Sequence, residues 1–218
     1  MQRLVPAGMV RPVVTVAVVC ALIVTTLAVV FSDQRVASAF DQQVYSMVYK
    51  QFVGERGVLQ AMLVPTEPVL LIIVLGLVVM VSVARHRPRL AVLAVVGPLL
   101  AVGLNGLLKP WIDRTINNGS LAFPSGHTTG MVAVLTVFVV GALTSSRIWL
   151  SALVIAVAVL VTVIGTVALV GMKYHYVTDT VGGACLAVAT VLVVALGIDR
   201  VAAKRGRTRK TAASGVAL

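Results

Sequence analysis

The chain has 218 residues, 59% of them hydrophobic and 11% charged, with a mean hydropathy of +1.04. Soluble domains carry about 25% charged residues, so a soluble fold is excluded, and with 5% aromatic residues and few alternating segments an outer-membrane barrel fits poorly too. A net charge of +11 would suggest nucleic acid in a soluble protein, but its placement here gives it another meaning.

Uncharged apolar runs occupy roughly 13 to 31, 68 to 84, 90 to 108, 127 to 144, 148 to 172 and 180 to 198. At about 1.5 Å per residue, each is near the length that crosses the hydrocarbon core of a bilayer. Six spans are therefore expected, forming one all-α membrane domain over residues 1–199. The basic stretch 200–218 is expected to be a disordered tail held near anionic headgroups rather than a nucleic-acid site. The first run follows Arg3 and Arg11 and precedes Ala37-Ser38-Ala39, as a cleaved secretory signal would. Its length and the intervening Asp33 and Arg35 favour a retained span, with cleavage as the alternative. The segment 32–67 mixes apolar and charged residues, including Asp41, Lys50, Glu55 and Arg56. Either an interfacial helix or a covered external loop accounts for it. Gly97-Pro98 is expected to bend the third span. Cys20 and Cys185 lie in apolar runs and read as small buried thiols, with no disulfide, metal or redox role.

Alternate loops differ in basic residues. The N-terminus, Arg85/Arg87/Arg89, Arg147 and the tail hold twelve; Arg35, Lys50, Arg56, Lys109, Arg114 and Lys173 make six on the other side. The positive-inside rule places the first set, and with it both termini, in the cytoplasm. The loops at 110 to 126 and 172 to 179, with segment 32–67, then share the outer side.

Ionisable residues at membrane depth are costly and mark function, and here they cluster on that outer side. Lys109 and Arg114 close the third span, Pro124-Ser125-Gly126-His127 opens the fourth, and His175 and Asp179 join the fifth to the sixth. A helix start with a glycine leaves backbone N–H groups free to hold an anion such as phosphate. Lys109 and Arg114 can add charge-assisted hydrogen bonds. His175 and Asp179 stand four apart, which on a helix lets the carboxylate orient the imidazole as a nucleophile, and His127 can serve as general acid. Taken singly, each residue is equally well an interface anchor or span-end charge, as His86 between Arg85 and Arg87 is read. Their convergence on one side favours chemistry.

These residues resemble the type 2 phosphatidic acid phosphatase (PAP2) superfamily, whose three motifs are a lysine followed by arginines, Pro-Ser-Gly-His, and an arginine before His-x-x-x-Asp. Pro124 to His127 matches the second and His175 to Asp179 the core of the third, so the resemblance covers about residues 100 to 185. It implies a six-helix PAP2-type bundle and a metal-independent lipid phosphatase acting through a phosphohistidine, with no cofactor. By the same resemblance His175 is the nucleophile, Asp179 its orienting partner and His127 the acid, while Lys109, Arg114, Ser125 and Gly126 bind phosphate. The few carboxylates near the site, Asp113 and Asp179, agree with a reaction that needs no metal. Two positions depart from the pattern. Two positions after Arg114, where the first motif commonly continues to a second arginine and a proline, stands Ile116, followed by Asn117, and Leu169 stands six before His175 where the third motif has arginine. Lys173 is the nearest residue able to supply the lost charge. The expected substrate is a lipid phosphate: a polyprenyl diphosphate or other polyprenyl-linked phosphate of cell-envelope synthesis first, phosphatidate or phosphatidylglycerol phosphate next. The expected location is the cell membrane, with the site facing outward. A small transporter or lipid flippase is the alternative of a different class; it would place charges near the bilayer midplane, whereas these lie at span ends.

Overall fold

The computed structural model describes residues 3–116, 119–145 and 147–215, the last ten by backbone alone. Asn117 and the side chains of Arg207, Arg209 and Lys210 lie outside the described residues. Among the described residues eight α-helices follow in order: α1 (Val10–Phe31), α2 (Ala39–Phe52), α3 (Arg56–Leu63), α4 (Pro68–Ala84), α5 (Pro88–Ile112), α6 (Gly126–Leu143), α7 (Ile148–Gly171) and α8 (Val177–Gly215). Among the described residues six helical stretches are long and apolar enough to cross a membrane, and they coincide with the six runs of the sequence. The chain is an all-α, multi-pass membrane protein. α3 runs on through a 3-10 turn into α4, so the second span extends from Arg56 to Ala84.

Helix ends fall where the local chemistry stops the ladder. Pro68 and Pro88 open α4 and α5, where the missing N–H costs nothing. α5 continues through Pro98 and Pro110 and stops at Asp113, whose φ of 49° is left-handed. Ser38 caps α2: its Oγ accepts from the Asp41 N–H at 3.1 Å and donates to the Asp41 carboxylate at 2.7 Å. The backbone of the basic tail continues α8 to Gly215, where disorder was expected from sequence.

α8 and α6 form the centre of the bundle. Leu93, Ala94 and Ala101 of α5, Met131, Val137 and Val140 of α6, and Ala187, Val191 and Ala195 of α8 are buried together. With no hydrophobic force between helices in lipid, close packing of small residues holds such an interface. At Gly97 an added Cβ would meet Val191 at 3.3 Å, so the glycine admits α8 against α5. α1 packs along α8, where Cys20 and Cys185 are hydrogen-bonding neighbours with free thiols. The segment 32–67 is mostly helical: α2 and α3 pack against α7, and α2 also reaches α8 and buries Asp41.

Candidate active site

The turn before α6 is held from three sides. Ser125 caps α6, its Oγ accepting from the Thr128 N–H at 3.3 Å and from the Thr128 hydroxyl at 3.1 Å. Asn105 of α5 donates to the Pro124 carbonyl at 3.0 Å and to Thr129 at 2.9 Å. The Ser125 N–H donates to the Asp179 carbonyl at 3.0 Å, which ties the turn to the first turn of α8. Gly182 and Gly183 make this approach possible. A Cβ at Gly182 would run into the Phe123 ring, and one at Gly183 would lie 2.5 Å from the Ser125 carbonyl oxygen. With the cap satisfied, the N–H groups of Gly126 and His127 donate to nothing among the described residues, and both residues line a cleft. They are the free donors expected of a helix start.

That cleft, of about 680 Å³, runs between α4, α5 and α6. Its polar end carries Lys109, Gly126, His127, Tyr174 and His175; apart from Thr66 and Ser120 the rest is apolar, with Leu71, Leu75, Leu99, Val102 and Val134. The ring centroids of His127 and His175 are 5.8 Å apart at an interplanar angle of 65°, and Tyr174 stacks on His127 at 6.4 Å. Lys109 reaches in from the last turn of α5, its Nζ donating to the Leu121 carbonyl at 3.0 Å. Two imidazoles, one ammonium and two backbone N–H groups thus border one polar pocket.

His175 and Asp179 do not share a helix face, contrary to the expectation from their spacing. His175 precedes α8, while Asp179 sits in its first turn and accepts the Tyr176 N–H at 2.8 Å, closing the helix start as a capping carboxylate does. Its Oδ2 stands 3.9 Å from His175 Nδ1, beyond hydrogen-bond length, and that nitrogen has no partner among the described residues. Catalytic hydrogen bonds are often long before substrate binds. His175 is 8% exposed, and burial, with the charge of Lys109 and His127 nearby, lowers its pKa to about 3. It is a neutral imidazole near pH 7, the state a nucleophile needs.

Arg114 lies behind Asp179 rather than on the cleft. Fully buried, it donates to Asp179 at 2.6 Å, to Thr178 at 2.7 Å and to Asp41 of α2 at 2.7 Å. Its guanidinium lies between the rings of Phe31 and Tyr176, 4.0 and 4.7 Å from their centroids. Asp41 also accepts from the N–H and hydroxyl of Thr178. Burial alone would push Asp41 up, but hydrogen bonds from Ser38, Thr178 and Arg114 outweigh it and hold the carboxyl below its ordinary value. Lys173 points elsewhere. Its φ of 60° turns it toward α2, where its Nζ lies 5.0 Å from the Tyr45 ring, and hydrogen bonding to Tyr45 raises its pKa. It lines a neighbouring cavity that shares His175 with the cleft. Asp113 pairs with Arg35 at 2.9 Å on the surface.

Of the residues singled out from sequence, the structure gathers Lys109, Gly126, His127 and His175 on the cleft, with Ser125 and Asp179 bracing it from behind. Arg114 and Lys173 are turned away. Sequence reasoning did not assign Asp41, Thr178, Asn105, Tyr174 or the Gly182-Gly183 pair to the site. Ser38-x-x-Asp41 as a cap signature and two adjacent glycines inside an apolar span were the available signals.

No family model matches the sequence, and no curated protein does. Among solved structures the chain is similar to the crystal structure of the first transmembrane PAP2 type phosphatidylglycerolphosphate phosphatase from Bacillus subtilis. The identity is 19%, the TM-score 0.46, and the match covers 84% of this chain and 96% of that one. The overlap is too slight to bear on chemistry, which rests on the residues themselves.

Proposed function

We propose that the protein is a lipid phosphatase of the cell membrane that uses His175 as nucleophile and His127 as general acid. One observation carries the reading: two imidazoles 5.8 Å apart close the polar end of a mostly apolar cleft. A lipid phosphate has the same division. Its tail suits the wall formed by Leu71, Leu75, Leu99 and Val102, and its phosphoryl oxygens suit Lys109 and the free N–H groups of Gly126 and His127.

In this mechanism the His175 nitrogen facing away from Asp179 attacks phosphorus, the P–O bond to the leaving group breaks, and protonated His127 donates its proton to the departing oxygen. Water then attacks phosphorus, giving one proton to His127, the P–N bond to His175 breaks, and phosphate leaves with neutral His175 restored. Asp179 stabilises the charged ring between the steps, and the cleft donors stabilise charge building on the phosphoryl oxygens. This scheme requires no metal. Arg114 acts through Asp179 in this reading rather than as a phosphate ligand. The positive-inside asymmetry supports an outward-facing site. That orientation favours polyprenyl diphosphates and other polyprenyl-linked phosphates as substrates, with phosphatidate and phosphatidylglycerol phosphate next.

The test is phosphate release by protein purified in detergent with a chelator present, across a panel of these lipid phosphates. Wild type is expected to release phosphate from at least one of them and His175→Ala from none. Equal release by both would remove the assigned nucleophile, and loss of wild-type activity on chelation would remove metal independence. His127→Ala is expected to lower kcat by about 10²- to 10⁴-fold, the usual worth of a general acid.

A further inference from the structure

The end of the bundle remote from His127 and His175 carries a second polar pocket, of about 310 Å³, bordered by Arg3, Arg85, His86, Arg87, Arg89 and Thr144. α4 and α5 both run from the cleft end to this one, since Pro68 and Lys109 border the cleft and Ala84 and Pro88 flank the hairpin here. Three elements bring the basic groups together. Between α4 and α5 the chain reverses over Arg85-His86-Arg87, with His86 at a left-handed φ of 53° and the Arg87 N–H donating to the Ser82 carbonyl at 2.8 Å. The N-terminal segment is pinned alongside by Asp199 of α8, whose carboxylate accepts the Leu4 and Val5 N–H groups at 3.1 and 3.0 Å and so fixes Arg3 at the rim. The end of α6 contributes Thr144, which accepts from Arg87 at 3.3 Å.

The charge balance is one-sided. Asp199 pairs with Arg89 at 2.9 Å, and no carboxylate pairs with Arg3, Arg85 or Arg87 among the described residues. Arg89 also keeps a buried Nε with no hydrogen-bond partner among them. Basic residues flanking spans are ordinary orientation signals. Scattered orientation signals do not require a shared cavity, a fixed N-terminal segment and an unfilled buried donor. We propose that this pocket binds the phosphate of an anionic ligand, for which guanidinium forks are suited, either in a lipid headgroup at this membrane face or as free phosphate. It lies apart from the histidine cleft and does not depend on the reaction proposed there.

The experiment uses the full chain reconstituted in phosphatidylcholine vesicles with or without one part in five of phosphatidylglycerol, a phosphodiester outside phosphomonoesterase chemistry. Native mass spectrometry after transfer to detergent counts retained anionic lipid, and a thermal shift with inorganic phosphate in lipid-free detergent tests the soluble source. Arg3→Gln/Arg85→Gln/Arg87→Gln is compared with Arg147→Gln/Arg200→Gln/Arg205→Gln, which removes equal charge elsewhere. Retention should fall at least about tenfold in the first and less than about twofold in the second. A phosphate-induced shift that is larger in wild type than in the first triple variant, without lipid retention, would support the site with a soluble occupant; any contribution of the histidine cleft is common to both proteins. Should the triple variant not fold, Arg85→Gln alone is expected to lower retention about fivefold. Equal losses in the two triple variants, or neither lipid retention nor a pocket-dependent shift, would overturn the proposal.

Discussion

Lys109 and Arg114 are five positions apart, and the end of α5 at Asp113 sends them to different neighbours. Lys109 borders the cleft, whereas Arg114 is enclosed by two carboxylates, a hydroxyl and two rings. Breaking a buried charge network leaves uncompensated ions and costs about 3–5 kcal/mol. Arg114→Met should therefore lower thermal stability in detergent markedly, while Lys109→Met should leave it nearly unchanged and raise KM; a joint measurement of melting and steady-state kinetics separates the two roles. His175 gives a pH prediction. Its folded pKa of about 3 lies below its ordinary 6.5, so between these values the unfolded chain holds a proton that the folded one does not. Stability then falls as pH drops through that window, by about 2 kcal/mol from pH 7 to pH 5 for this one group. Unfolding of wild type and His175→Asn at the two pH values should show that difference, the variant losing less. An equal loss in both would mean that His175 is not held neutral by its surroundings.

The spacing of α6 and α8 rests on Gly182 and Gly183, because the Pro124-Ser125 turn lies where their side chains would be. Gly183→Ala pushes a methyl against the Ser125 carbonyl and Thr129 and should cost about 1–3 kcal/mol, with activity falling further as the helix start shifts from His175. Gly197→Ala on the same helix meets nothing within 4 Å and is the neutral control in the same melting and activity assays. Five of the spans were legible to within about seven residues at either end, since bilayer thickness sets the length of an uncharged run, whereas the second begins at Arg56, well before its apolar run. The meeting of His127 and His175 followed from their lying at span ends on one side. The Asp41–Arg114–Asp179 network was not legible: its partners are 73 and 65 residues apart, and only the docking of α2 over the site joins them. The direction of Lys173, expected to supply the lost charge, was not legible for a local reason, the left-handed backbone that turns it toward Tyr45.

For the molecule as a whole, an even number of spans and an excess of basic residues at one end predict both termini inside and α2 outside. In a background lacking Cys20 and Cys185, Gln51→Cys should react with an impermeant thiol reagent on intact cells and Arg147→Cys only after lysis; the reverse pattern would invert the orientation. The central claim, that the imidazole of residue 175 receives the phosphoryl group, is tested most directly by trapping it. A lipid phosphate labelled at phosphorus is mixed with enzyme, quenched in alkali, and the label located by peptide mapping. The account predicts label on His175 in the wild-type protein and none in His175→Ala. Label on another residue, or undiminished phosphate release by His175→Ala, would contradict it.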